Sequence, residues 1–366
     1  MLIQKILLEL LNKKLVFTDL NVRAGEIVKI RTPSGWGRFG NDPIAREEIN
    51  SFLTVIAGAD WLNRLQNSPT QSLDIAKTIG GAARLRCNIA FSGSLDENED
   101  HQIIDDVTIS IRKLSLVPIE YADIGLPAKL LQEMINRKGL WLVTGPTGNG
   151  KSTTLASILQ YINTNQSKHI ITIEHPIEYI LRPSRCIISQ KEVELHTPSF
   201  NAGLVAALRQ RPDYLMIGEV RDKETMETML SAAESGHAVF ATLHTKNTAD
   251  AISKCAAFLQ GPTGGSKLNT FSSVLCGVVA QALVPSADGK ELVLAYEILL
   301  NNPEIQNIIR KEEYQKISNA LSTSKQQGCI PLNDCLKDLL MRKKITEATA
   351  LQASYDPESL KKERYL

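Results

Sequence analysis

The chain has 366 residues, 43% hydrophobic and 22% charged, with 41 Lys and Arg against 40 Asp and Glu for a formal net charge of +1. That length supports two domains, each with its own core, and the near-neutral balance excludes a nucleic-acid polycation or an acidic solvating tail. Six cysteines (Cys87, Cys186, Cys255, Cys276, Cys329, Cys335) are scattered without a C-x-x-C pair or zinc spacing, which suits reduced thiols in a cytosol.

In chain order, Leu2, Ile3, Ile6, Leu7, Leu10 and Leu11 make one stripe of an amphipathic helix. Lys5 and Glu9 interrupt the apolar run and no small-residue cleavage site follows, so the stretch is not a signal peptide. Phe17–Arg23 and Ile27–Arg31 read as strands about a turn at Ala24–Glu26, and residues 43–66 carry helical patterning through Ile44, Ile49, Phe52, Leu53 and Ile56. Ser72–Ile79 and Arg84–Phe91 flank Gly80–Gly81 as a hairpin. In its second strand Leu85, Cys87, Ile89 and Phe91 alternate against Arg84, Arg86, Asn88 and Ala90. An acidic loop at Ser94–Asp100 and a strand at Asp106–Arg112 complete a predicted α+β domain over residues 1–115, and residues 116–121, around Pro118, are the predicted linker.

From 122 to 366 strands and helices alternate, which predicts an α/β fold with a doubly wound parallel sheet. The strands are Leu140–Thr144, His169–Glu174, Tyr214–Ile217 and Ala238–Thr242. Helices are predicted at 152–162, Phe200–Gln210 and Asp222–Ser235, where Met226, Met229, Leu230 and Ala233 share a core face. A helical stretch begins near Asp250, a hairpin turns at Ala287–Gly289, and the tail from Pro303 is helical. The longest other apolar segment, Val274–Val284, contains Gln281 and is too short for a membrane span, so a soluble chain is expected.

Between the first parallel strand and its helix lies Gly145-Pro146-Thr147-Gly148-Asn149-Gly150-Lys151-Ser152, a G-x-x-x-x-G-K-[ST] loop in the strand–loop–helix setting it requires. Its glycines let the backbone take positive φ and approach phosphates, whose charge successive N–H groups and the helix N-terminus then cradle. Lys151 is expected on the β- and γ-phosphates of ATP, with Thr153 in the same cradle, and Ser152 on Mg²⁺. Three more constellations accompany strands. Glu219, in Gly218–Asp222, suits Mg²⁺ or the attacking water, whereas Asp222 suits a helix cap. Glu174 and Glu178 are candidate bases. His237 and His244 flank one strand.

Together, Gly145–Ser152, Thr172–Glu178, Gly218–Asp222 and Gly236–Thr245 resemble the secretion traffic ATPase superfamily of type II and type IV secretion and type IV pilus motors. Within it the chain resembles the PilT-like retraction branch and the related DotB-like and conjugative-transfer ATPases. Phe17–Gly25, Arg84–Phe91 and Pro303–Arg310 match motifs of that branch. The resemblance implies an N-terminal PAS-like domain followed by a RecA-like P-loop domain with C-terminal helices. It also implies a homohexameric, Mg²⁺-dependent ATPase at the cytoplasmic face of the inner membrane. Such a motor would meet the membrane only through inner-membrane platform or secretion-apparatus proteins, and no direct nucleic-acid partner is implied. Residue by residue, Glu178 becomes the catalytic glutamate, Glu219 the Walker B acid, and His237 and His244 the His box. Arg84, Arg86 and Arg112 fall where the family draws arginine fingers toward a neighbour's nucleotide; the alternative is solvated charges of an edge strand. His175, Arg211 and Gln306 depart from the family pattern, standing for an aspartate, an acid and an arginine. The competing reading from another class is a P-loop kinase of a small metabolite.

Overall fold

The structure, a computed structural model, describes residues 2–12, 17, 19–32, 35–79, 83–95, 103–114, 117–261 and 264–362. The chain divides into two units: residues 1–117 with 176–180, and residues 118–175 with 181–366. The expected Gly80–Gly81 turn and most of the acidic stretch at 94–100 lie outside the described residues.

The first unit runs α1 (Leu2–Asn12), β1 (Asp19–Arg23), β2 (Lys29–Thr32), β3 (Gly35–Arg38), α2 (Arg46–Ala57), α3 (Trp61–Asn67), β4 (Ser72–Ile79), β5 (Ala83–Leu95) and β6 (Ile103–Leu114). Its strands form one antiparallel sheet in the order β3-β2-β1-β6-β5-β4. Period-two alternation sends Leu85, Cys87, Ile89, Ile109 and Ile111 into a core shared with Ile3, Leu7, Phe52 and Leu53 from the helices. The stretch 43–66 forms two helices because Gly58, at φ 95°, turns the chain between them. β3 was not expected: all four of its residues are exposed, so backbone pairing alone holds it and no buried face leaves a pattern.

The second unit continues with α4 (Ala128–Asn136), β7 (Gly139–Thr144), α5 (Lys151–Asn165), β8 (His169–Glu174), β9 (Ile187–Glu192), α6 (Phe200–Leu208), β10 (Tyr214–Ile217), α7 (Lys223–Glu234), β11 (Ala238–Leu243), α8 (Thr248–Phe258), α9 (Gly264–Val274), β12 (Leu275–Pro285) and β13 (Leu292–Leu300). Five helices follow: α10 (Pro303–Arg310), α11 (Ile317–Thr323), α12 (Leu332–Met341), α13 (Glu347–Ala353) and α14 (Pro357–Lys362). The sheet order is β13-β12-β7-β11-β10-β8-β9, parallel throughout except for the β12–β13 hairpin.

β7, β10 and β11 are buried along their whole length, which is why they read as unbroken apolar runs. Leu155, Ile158, Leu159 and Ile162 of α5 are fully buried against them, each contributing about 1.5–3 kcal/mol of hydrophobic stabilisation. Met226 and Met229 are also fully buried core residues. On the β12–β13 hairpin, Val284 and Ala295 join Leu332, Leu336, Ile345, Ala350 and Leu360 in a separate small cluster.

All six cysteines are buried free thiols, and burial pushes Cys87 and Cys255 up to about 12 and Cys276 and Cys335 up to about 11. No helix among the described residues is long and apolar enough to cross a membrane.

Candidate nucleotide site

The loop between β7 and α5 takes left-handed or extended positive φ at Gly145 (148°), Gly148 (85°) and Gly150 (77°). At Gly145 a Cβ would lie 2.4 Å from the Gln281 carbonyl oxygen, so the loop packs on β12 only without a side chain there. β12 holds the loop further: the Leu283 N–H donates to Asn149 Oδ1 at 2.7 Å, and Gln281 Nε2 donates to Thr154 Oγ1 at 2.8 Å. On the other side, the Thr245 N–H donates to Thr144 Oγ1 at 3.0 Å. Lys151 is 7% exposed, and its Nζ donates to the Gly145 and Pro146 carbonyls at 2.8 and 3.1 Å. Both of these acceptors are neutral, so an anion at the loop offers the ammonium a stronger, charge-assisted bond in their place.

Around the loop, strand ends supply the remaining groups. β10 ends at Ile217, and the segment after it is pinned: Gly218 N–H donates to Ile173 O at 2.8 Å and Val220 N–H to Thr242 O at 3.1 Å. Asp222 caps α7, its Oδ1 accepting from Thr225 N at 2.7 Å, as its position suggested. Glu219 is 14% exposed and contacts two neighbours. One oxygen pairs with the Arg221 guanidinium, and the other lies 3.6 Å from His244 Nε2. His244 Nδ1 in turn lies 3.4 Å from Thr147 Oγ1 on the loop. Burial, then the positive Lys151, hold the His244 pKa below the ordinary histidine range; Glu219 opposes them. A neutral Nε2–H tautomer donates toward Glu219 and leaves Nδ1 to accept from Thr147. Thus Thr147, His244, Glu219 and Arg221 form one line of contacts.

Other candidates are placed differently. His237 precedes β11 while His244 follows it, so about 20 Å of strand separates them. The Gly139 N–H donates to the His237 carbonyl at 3.1 Å, at the opposite end of β7 from the loop. Within one chain, therefore, only His244 lies at the loop's end of the sheet. His237 Nδ1 sits 3.0 Å from both Ser235 Oγ and the Ala232 carbonyl.

The two acidic-box glutamates also part company. Glu174 is 8% exposed, and its Oε1 accepts from Thr172 Oγ1 at 2.6 Å and Gln190 Nε2 at 3.1 Å. Glu178 belongs to the first unit, where Arg86 Nη1 lies 3.5 Å from its Oε1. Arg86 also pairs with Asp74 at 2.9 Å, and Arg84 is buried with its Nε donating to the Ile177 carbonyl at 2.7 Å. Arg112 is 48% exposed and pairs with Asp19 at 2.8 Å. β5 and β6 are interior strands, so none of these arginines stands on a sheet edge.

Of the departures, His175 Nε2 lies 3.5 Å from Glu194 Oε1, and Arg211 sits in a left-handed turn at φ 51°. Gln306 lies on α10, whose cap Asn302 accepts from Ile305 N at 2.9 Å. Sequence reading missed Arg221 as a site group. Its signal was there: in an extended segment, residues two apart point to the same side, and Arg221 stands two after Glu219.

Residues 103–356 match the family described as Type II/IV secretion system protein. The chain belongs to that family. As a secretion ATPase it is similar to the Type IV pilus ATPase PilU of Pseudomonas aeruginosa, 40% identical over 334 residues that cover 91% of this chain and 84% of that protein. Among solved structures it resembles the pilus retraction motor PilT with bound ADP, at a TM-score of 0.83 and 34% identity, covering 98% of this chain and 99% of that one. It also resembles the Legionella pneumophila ATPase DotB, at a TM-score of 0.76 and 25% identity over 94% and 92% of the two chains. The PAS-like and RecA-like expectations agree with these likenesses, and the secretion ATPase family sets the metabolite-kinase reading aside.

Proposed function

We propose that this chain is a homohexameric, Mg²⁺-dependent ATPase motor that powers a type IV pilus, of the retraction type, from the cytoplasmic face of the inner membrane. The observation that carries this reading is the line of contacts from the phosphate loop through His244 to Glu219. In it the loop and Lys151 bind the phosphates, and the Ser152 hydroxyl and the Glu219 carboxylate are oxygen donors of the kind Mg²⁺ takes alongside phosphates and water. The metal would neutralise charge on the transferred group. Glu178 orients or deprotonates the attacking water, and His244 relays the loop's state to Glu219. One of Arg86 and Arg112 serves a neighbouring subunit's nucleotide. Its protein partners are inner-membrane platform components, which also account for any membrane association.

Lys151→Ala should abolish ATP turnover, because it removes charge that both binding and the transition state need. Hydrolysis by that variant at the unmodified rate would remove the loop from the mechanism. The second reading, a DotB-like or conjugative-transfer ATPase, has the likeness to DotB in its favour. Restored pilus retraction in a cell stripped of its own retraction ATPase would favour the first reading; restored substrate transfer alone would favour the second.

A further inference from the structure

Arg221 has no part in the function just described, yet it holds the carboxylate on which that function depends. The backbone explains why it does so. Gly218 is tied to β8, Val220 to β11, and Asp222 is committed to capping α7. Val220 is buried, so Glu219 and Arg221 on either side of it are directed together away from the core. The guanidinium pairs with one carboxylate oxygen of Glu219, while the other faces His244. The acid is 14% exposed and its arginine 61% exposed. With its arginine open to water, the pair is easily broken and contributes little to holding the fold. What it does is place a positive charge on the oxygen that a metal-bound nucleotide would need.

We infer that Arg221 is a positioning residue, a resident counter-ion that neutralises Glu219 until the Mg²⁺–nucleotide arrives and must then be displaced. Loading then proceeds from the fraction of molecules in which the pair is open, which weakens apparent metal-dependent binding by that fraction. The same competition sets a threshold: free nucleotide without metal leaves the pair closed, and Glu219 engages only with the complete complex. Released, the guanidinium stays beside the site with its N–H donors turned to solvent. This inference rests on the reading that the site takes Mg²⁺ with ATP.

The test is equilibrium binding of a fluorescent, non-hydrolysable ATP analogue to the full chain, titrated with Mg²⁺ and again in chelator. Wild type should show Mg²⁺-dependent tightening; its absence would overturn the function and the inference together. In Arg221→Gln the half-saturating Mg²⁺ concentration should fall by about two- to fivefold, the range to which the strength of an exposed ion pair converts. Binding in chelator should be unchanged, and Arg221→Lys should stay near wild type. In a Glu219→Gln background the Arg221→Gln change should have no effect, since there is no carboxylate left to contest. If wild type responds to Mg²⁺ but Arg221→Gln shifts the midpoint upward or leaves it in place, the inference falls and the function stands. Thermal melting of each variant confirms folding, and a merely structural arginine would lower the melting temperature without moving the metal midpoint.

Discussion

Glu174 and Glu178 stand four residues apart, and their surroundings assign them different work. Glu174 is buried and spends its Oε1 on Thr172 and Gln190. Glu178 is more open, and Arg86 stands 3.5 Å from its Oε1. Glu178→Gln should therefore keep nucleotide binding and lose turnover by roughly 10²-fold or more, as removal of a general base does. Glu174→Gln should chiefly lower stability. Single-turnover hydrolysis beside thermal melting distinguishes them, and the reverse pattern would exchange their roles. His244 gives a pH signature. Its folded pKa lies below the ordinary value of 6.5, so on acidification through that value the unfolded chain takes up a proton that the folded chain refuses. Its contribution to stability is present above that range and is lost as pH falls below it. His244→Asn should flatten this part of the profile, read as the difference in melting temperature between about pH 7.5 and about pH 5.5 for variant and wild type. Parallel profiles would mean that His244 does not titrate as described.

At the scale of elements, β12 carries the phosphate loop from the side, through Leu283 N to Asn149 and through the close approach of Gln281 to Gly145. Asn149→Ala leaves the Leu283 N–H without that acceptor and loosens the loop. Nucleotide affinity should fall by about fivefold, the equivalent of about 1 kcal/mol for one such hydrogen bond, and hydrogen exchange at Leu283 should speed up. Unchanged exchange would show that β12 does not depend on this contact. How far each element was legible follows from its burial. β7, β10 and β11 are buried on both faces and were plain in the sequence. The edge strands β3 and β9 bury little and left no pattern. The phosphate loop was legible because its glycines answer to backbone geometry. The Glu219–Arg221 pairing showed in the sequence only as a two-residue spacing, which puts both side chains on one side of an extended segment but does not say that they meet.

For the whole molecule, the first unit is not a continuous piece of sequence: it takes in Pro176–Ile180, and Arg84 and Arg86 are bound there to Ile177 and Glu178. Arg84, being buried, is committed to structure, which leaves Arg86 and Arg112 as the candidates for service in trans. Two inactive proteins, Glu178→Gln and Arg86→Ala/Arg112→Ala, should partly recover ATP turnover when mixed. Mixed rings would contain interfaces with both parts intact, and a trans arginine is worth roughly 10³-fold or more. A mixture as inactive as its components, from variants shown to exchange subunits, would dismiss the trans arginine.

The six thiols are all buried, and burial holds them protonated. Since the thiolate is the species that reacts, a maleimide added to the native protein has no ready target. Modification must then wait for the fold to open, and its rate becomes a clock for that opening. Cys87 keeps time for the first unit, and Cys255, Cys276 and Cys335 for the second. Mass spectrometry of partly labelled protein would thus record, molecule by molecule, which half gives way first and whether ATP slows it.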